Sequence, residues 1–211
     1  MTTGFPGAAS AALRSVRACA ALMREDVDTV LARDPSVHSR TEALLAPHLI
    51  AMWAYRLSHV LYLSGRPVLA RCVGLLGRQL SGGIEIHPGA RIGRRFFVDH
   101  GCGTVVGETA VIGDDVTLYH QVTLGALGWW RDNRRQPGER RHPWLGCRVV
   151  VGANTVILGP VRIGDDARIG AKSFVTDDVS AGAVLSAERT APTMPTRRGS
   201  TSPPANARTS T

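Results

Sequence analysis

Between Ile84 and Gly125 the chain reads IEIHPGARIGRRFFVDHGCGTVVGETAVIGDDVTLYHQVTLG, an aliphatic pattern interrupted by His87, His100 and His120. An imidazole titrates near neutral pH. It can therefore draw a proton from an attacking hydroxyl, or join two others around a metal ion. His100 is the candidate for proton transfer, because it follows Asp99 at a point where the pattern is distorted. His87, which precedes Pro88, and His120 read as structural residues. A metal site would instead require three of His87, His100, His120 and His142 to converge, as in a zinc-dependent hydratase.

The elements that carry these residues follow from periodicity. Ile86, Ile92 and Val98 stand six apart, as do Val106, Ile112, Leu118 and Leu124, and again Leu145, Val151, Ile157, Ile163, Ile169 and Val175. Glycine follows many of these aliphatic residues directly. This is the hexapeptide signature of a parallel β-helix, in which each hexapeptide forms a short strand and a corner and three make one triangular coil. Two interruptions stand out. The spacing between Val98 and Val106 is eight, which distorts the corner at Asp99-His100. Between Leu124 and Leu145 the register is lost through GALGWWRDNRRQPGERRHPW, read as an extended loop over 126–144, with Trp129 and Trp130 packing on a neighbouring subunit.

The chain before the repeats is helical. Apolar residues recur at helical spacing over Ala11–Ala32, which ends at Asp34-Pro35, then over Thr41–Leu63, and over Val68–Leu80 beyond a Ser64-Gly65-Arg66-Pro67 break. The reading is an α + β protein. A helical domain spans 1–81, a β-helix domain spans 82–179, and a tail over 180–211, rich in Pro, Ser, Thr, Ala and Arg, is expected to be disordered.

Composition narrows the function classes. Of 25 basic residues Lys172 is the only lysine, so the net charge of +8 is carried by arginine and reads as a coding bias. No basic helix face or aromatic-basic interleaving points to nucleic acid. Cys19, Cys72, Cys102 and Cys147 form no C-x-x-C pair and read as reduced, buried thiols of a cytoplasmic protein without metal. Pro47, His48, Arg56 and His59 interrupt the most apolar segment, which is therefore a buried helix and not a membrane span.

The motifs GIEIHPGARIG, FFVDHGCGTVVGETAVIGDDVTLY, VTLGALG, RRHP and VGANTVILGPVRIGDDARIGAKS, in this order after a helical segment, resemble bacterial serine O-acetyltransferase from about Val27 to Val179. The resemblance implies a left-handed β-helix. It also implies acetyl transfer from acetyl-CoA to L-serine in cysteine biosynthesis, with His100 as general base and Glu85 as the carboxylate that orients it. Asp34, Asp99, Arg141 and His142 then hold the serine zwitterion, the last two from an adjacent subunit. Coenzyme A lies between neighbouring β-helices at Gly125, Ala126, Ala153 and Ala171, with Arg168 and Lys172 as phosphate contacts. The assembly is a trimer or a dimer of trimers.

Departures from the family pattern carry their own expectations. Alanine stands at 126 where relatives often have a second glycine, and the basic loop before Arg141 is longer than in the shortest relatives. The residues after Val184 lack the closing GIPA-like strand, and the ending ARTST lacks the terminal isoleucine that docks into cysteine synthase, so no tight complex by that route is expected. The rival readings are transfer to homoserine or a sugar, a γ-carbonic-anhydrase-like metal site, and a scaffold without activity.

Overall fold

A computed structural model describes residues 6–136 and 138–186. The expectations for 187–211, including the order of the tail and its part in covering the cofactor or meeting cysteine synthase, lie outside these residues. Four helices precede the repeats: α1 (Pro6–Arg33), α2 (Arg40–Ala43), α3 (Pro47–Leu63) and α4 (Pro67–Leu80). The single helix expected over Thr41–Leu63 is two. Pro47 has no N–H and pushes Ala46 into extended backbone, with ψ at 122°, so α2 closes and α3 starts afresh. Ser39 and Glu42 form a reciprocal capping box at the start of α2.

From Glu85 onward the chain coils into three parallel sheets. Face 1 holds β1 (Glu85–Ile86), β4 (Val105–Val106), β7 (Thr123–Gly125), β10 (Val156–Leu158) and β13 (Phe174–Val175). Face 2 holds β2 (Arg91–Ile92), β5 (Val111–Ile112), β8 (Trp144–Leu145) and β11 (Arg162–Ile163). Face 3 holds β3 (Phe97–Val98), β6 (Thr117–Leu118), β9 (Val150–Val151), β12 (Arg168–Ile169) and β14 (Val184–Leu185). The pairing register stacks each inward side chain on its equivalent. Ile86, Val106, Leu124, Ile157 and Val175 form one such column. All five are buried in the continuous core that fills the coil. The hexapeptide reading therefore holds strand by strand. It stopped one step early, since β14 pairs with β12 and carries the coil past 179.

Corners set the backbone chemistry. At the corner between faces 2 and 3, Arg95, Asp115, Arg148 and Asp166 all have φ between 53° and 62°. This left-handed conformation is uncommon for residues other than glycine. Their charges alternate along the column, and Arg95–Asp115 and Arg148–Asp166 pair at 2.7 Å. These pairs are solvent-facing, so each contributes no more than about 1 kcal/mol. The column meets α1 through Arg33, which bonds Asp115 and Thr117, and through Glu25, which takes Arg94 and Arg95.

The helices dock on the first coil mainly through α3. The Tyr55 hydroxyl donates to the carbonyl oxygen of Ala90 at 2.8 Å and accepts from the amide of Ile92. Buried Arg56 bonds the carboxylate of buried Asp26 on α1 and donates to the carbonyl oxygens of Ile92 and Gly93, both at 3.1 Å. One guanidinium thus joins α1, α3 and β2. The exposed faces of α3 and α4 carry Leu63, Val68, Leu75, Leu76 and Leu80. No helix among the described residues is long and apolar enough to cross a membrane. None of the four thiols expected to be buried is fully so: Cys72 and Cys102 are exposed, on the outer side of α4 and on an outward corner, and Cys19 and Cys147 are half-buried.

Replacing Arg56 with leucine leaves Asp26 and two carbonyl groups without their buried partner. The expected loss of stability is about 3–5 kcal/mol, read as a lowered urea midpoint. A midpoint equal to that of the unaltered chain would contradict this role.

Candidate active site

The two extra residues between β3 and β4 do not enlarge the coil; they bulge outward from the corner between faces 3 and 1. His100, Gly101 and Gly103 all take positive φ there, at 60°, 65° and 70°. At Gly101 a side chain is excluded, since a Cβ would lie 2.4 Å from the Ile84 side chain. The backbone folds tightly, with Gly101 N–H donating to Asp99 O at 2.7 Å and Cys102 N–H to His100 O at 2.9 Å. The left-handed His100 is thereby turned out of the coil, its side chain 77% exposed. Its Nε2 lies 3.7 Å from Asp99 Oδ1. The ring also meets that of His120, one coil further on, edge to face at 6.1 Å.

Helix α1 supplies the opposite wall. Its C-terminal Arg33 is fixed to Asp115 and Thr117 beside face 3, and the next residue, Asp34, arrives at the same corner. Asp34, Asp99 and His100 line one cleft of about 240 Å³, closed by Glu42, Pro47 and His48. The Asp34 carboxylate accepts from the amide and hydroxyl of Ser36, both through Oδ1, and these bonds hold it below the usual carboxylate range. Asp34, far away in sequence, therefore joins the adjacent Asp99 and His100 in one acidic cleft with an exposed imidazole on its wall. Such a cleft suits a small cation-bearing molecule whose hydroxyl meets a base.

The expected contact between Glu85 and His100 is not made. Glu85 points from β1 toward α4, where Arg78 takes its carboxylate at 2.9 Å. The carboxylate that faces the imidazole is Asp99. The helical hairpin explains the difference, because α4 brings a guanidinium to the outer side of face 1.

Arg141 and His142 lie at the other edge of face 1, at its corner with face 2. The long loop leaves there, and it contains a helical turn, α5 (Trp129–Asp132), with Trp129 and Trp130 both exposed and meeting edge to face at 6.1 Å. Arg140 anchors the end of the loop by donating to the carbonyl oxygens of Pro160 and Val161. Arg141 pairs with Glu108 at 2.6 Å, and Glu108 also accepts from the Tyr62 hydroxyl. Thr109 fixes the histidine. Its hydroxyl oxygen accepts from the Arg141 and His142 amides, and its own amide donates to His142 Nδ1 at 3.1 Å. Nδ1 is thus an acceptor, so the proton of the neutral ring sits on Nε2. Burial pushes His142 down to about 4, and neighbouring Arg141 adds to the effect. The ring packs against Gly107, where a Cβ would come within 2.1 Å of Nε2.

The remaining expected contacts divide between the same two edges. Gly125 ends β7 on the side of the loop and Ala126 follows it, and a Cβ on Gly125 would press on Leu158. Ala153, Ala171 and Lys172 follow His120 down the corner between faces 3 and 1, and Arg168 is exposed on β12. Within the chain, then, Asp34, Asp99 and His100 come together, while Arg141 and His142 form a second cluster across face 1. His87 lies on the latter side and His120 on the former. Among the described residues no three potential ligands gather as a metal site would require. Sequence reasoning passed over His48, Glu108 and Thr109. Only His48 left a signal, a polar residue directly after the proline that opens an apolar helix.

The family described as Bacterial transferase hexapeptide (six repeats) matches residues 142–177. The chain is 44% identical over 164 residues to serine acetyltransferase of Mycobacterium tuberculosis, covering 77% of this chain and 68% of that protein. It is 47% identical over 157 residues to serine acetyltransferase of Helicobacter pylori, covering 74% and 87%. Among solved structures, serine acetyltransferase isoform 3 of Entamoeba histolytica in complex with cysteine superposes with a TM-score of 0.78 at 31% identity. The match covers 88% of this chain and 64% of that one, so the chain spans just under two thirds of that relative's length. Serine acetyltransferase of Neisseria gonorrhoeae in complex with serine gives 0.72 at 36% identity, covering 83% and 69%. With the hexapeptide match, these neighbours make the fold a left-handed parallel β-helix behind a helical region.

The close fit of His142 over Gly107 has a measurable consequence. In Gly107→Ala the added methyl displaces the ring from its buried seat. The His142 titration followed by NMR should then move up from about 4 toward the ordinary value of 6.5. A titration that stays near 4 in the variant would show that the seat does not depend on the missing side chain.

Proposed function

The chain belongs to the serine acetyltransferase family, and we propose that it transfers the acetyl group of acetyl-CoA to the hydroxyl of L-serine in the cytoplasm, with His100 as general base. The observation that carries this reading is the convergence of Asp34, Asp99 and the exposed His100 on one small cleft. Asp34 and Asp99 hold the serine ammonium, which places the hydroxyl beside the imidazole. His100 takes the hydroxyl proton as the serine oxygen bonds to the acetyl carbon. The carbon–sulfur bond then breaks, and the proton passes from the imidazolium to the departing thiolate. Asp99 faces that imidazolium directly. Glu85, which rests on Arg78, turns to the ring from β1 only on releasing that counter-ion. The scheme follows the acid–imidazole half of a serine-protease triad, the nucleophile being supplied by the substrate.

The second cluster completes the site across a subunit boundary. In a trimer, the edge of face 1 that bears Arg141 and His142 meets the edge of the next protomer that bears His100. Arg141 and the Nε2–H of neutral His142 then receive the serine carboxylate. The pantetheine arm of coenzyme A runs down the same groove past Gly125 and Ala126 of one protomer and Ala153 and Ala171 of the other, with Arg168 and Lys172 at the phosphates. The exposed leucines of α3 and α4 are covered where two trimers meet.

Thiol release from acetyl-CoA should depend on serine and fall by about 10²–10⁴-fold in kcat for His100→Ala. Wild-type rates in the variant would end the assignment. Glu85→Gln should lower kcat by about tenfold, whereas Arg78→Ala, which frees the carboxylate, should not; equal kcat in all three proteins would remove Glu85 from the mechanism. The native mass should be three or six times that of the 22.5 kDa chain, and a monomer would leave the site incomplete.

A further inference from the structure

We propose that His48 is a third acceptor for the substrate ammonium, completing with Asp34 and Asp99 a three-point seat. This rests on the reading of serine as the acceptor substrate. The residue lies second in α3, directly after Pro47, and its ring meets the edge of Phe97 at 5.0 Å. Only 6% of it is exposed, and it lines the cleft shared by Asp34, Asp99 and His100. Among the described residues its Nε2 is buried without a hydrogen-bond partner. An unpaired buried polar atom costs about 1–3 kcal/mol. A leucine would fill the same space without that cost, so the nitrogen points to a use outside the folded chain.

The chemistry of the cleft identifies that use. A primary ammonium presents three N–H donors, and two carboxylates accept two of them in the most direct arrangement. The third carboxylate on the wall, Glu42, is committed elsewhere, since its Oε2 accepts from the amides of His38 and Ser39 in the capping box. His48 supplies the missing acceptor. Its charge state fits, because burial pushes it down to about 4 in spite of the opposing pull of Asp34 and Asp99. At neutral pH the imidazole therefore accepts a hydrogen bond and does not repel a cation. The adjoining N-terminus of α3 would favour a carboxylate if it acted alone. The two acids and the neutral ring facing it define an ammonium seat instead.

The test is steady-state kinetics on full-length protein with His48→Leu and His48→Gln, with L-serine and with glycerate, which carries a hydroxyl in place of the ammonium. His48→Leu should raise the KM for serine by about ten- to hundredfold, the worth of a hydrogen bond to a charged group. The KM for acetyl-CoA should hold and the preference for serine over glycerate should narrow. His48→Gln keeps an acceptor and should recover most of the serine KM. Because it removes an unpartnered nitrogen, His48→Leu should also unfold at a urea concentration no lower than wild type. An unchanged serine KM, a shift confined to acetyl-CoA, an unchanged preference over glycerate, or a destabilised or unfolded His48→Leu would each overturn the proposal. If the unaltered protein releases no thiol in response to serine, the failure belongs to the serine reading, and the seat fails with it.

Discussion

Stacking is the constraint from which the rest follows. Each strand pairs in parallel with its equivalent one coil away, and each inward aliphatic residue rests on the one before it. A coil that gains a residue inside a face would slide a whole column out of register and turn its side chains to the wrong side. Extra residues are tolerated only at corners, where they must leave the coil. The chain has two such exits, the Asp99–Thr104 bulge and the 126–143 loop, and they lie on the two edges of face 1. The rigid repeat thereby turns two insertions into two side-chain clusters at a set separation.

The clusters differ in how they use burial. At the loop edge, His142 is kept neutral by burial and locked by Thr109, so the ring offers one defined donor. At the bulge, His100 is left open, as the base of the proposed scheme must be. Nearby His48 is again buried and neutral. In the proposed scheme three histidines of one chain serve as donor, base and acceptor by virtue of their surroundings, with the same side chain in each case.

Much of the fold was legible because the hexapeptide period is enforced by the core itself; Ile86 to Val175 could not be apolar at that spacing for another reason. The break at eight residues marked His100 for the same cause. What could not be read depended on helix placement. The split at Pro47 turned on one missing amide, and the diversion of Glu85 to Arg78 turned on where α4 lands across face 1. No spacing in the chain encodes how Asp34 meets the Asp99-His100 pair, about sixty-five residues further on; that distance is closed only by docking. Glu108 and Thr109 look like ordinary corner residues until the loop folds back on them.

That docking gives the helices a direct part in the site. The β-helix alone presents His100 on an open corner, with one carboxylate beside it. A cleft appears only when α1 crosses face 3 and delivers Asp34, and when α3 begins at Pro47 and closes the floor with His48. Both arrivals depend on the same junction, since Arg56 ties α1 and α3 to β2 while Arg33 ties the end of α1 to the column of left-handed corners. A surface ion pair such as Arg33–Asp115 adds little to stability. Its value here is positional, because it fixes the backbone one residue before Asp34. Weak contacts at the rim and one strong buried contact at the junction therefore share the task of bringing a carboxylate from α1 to the cleft of an imidazole on the β-helix.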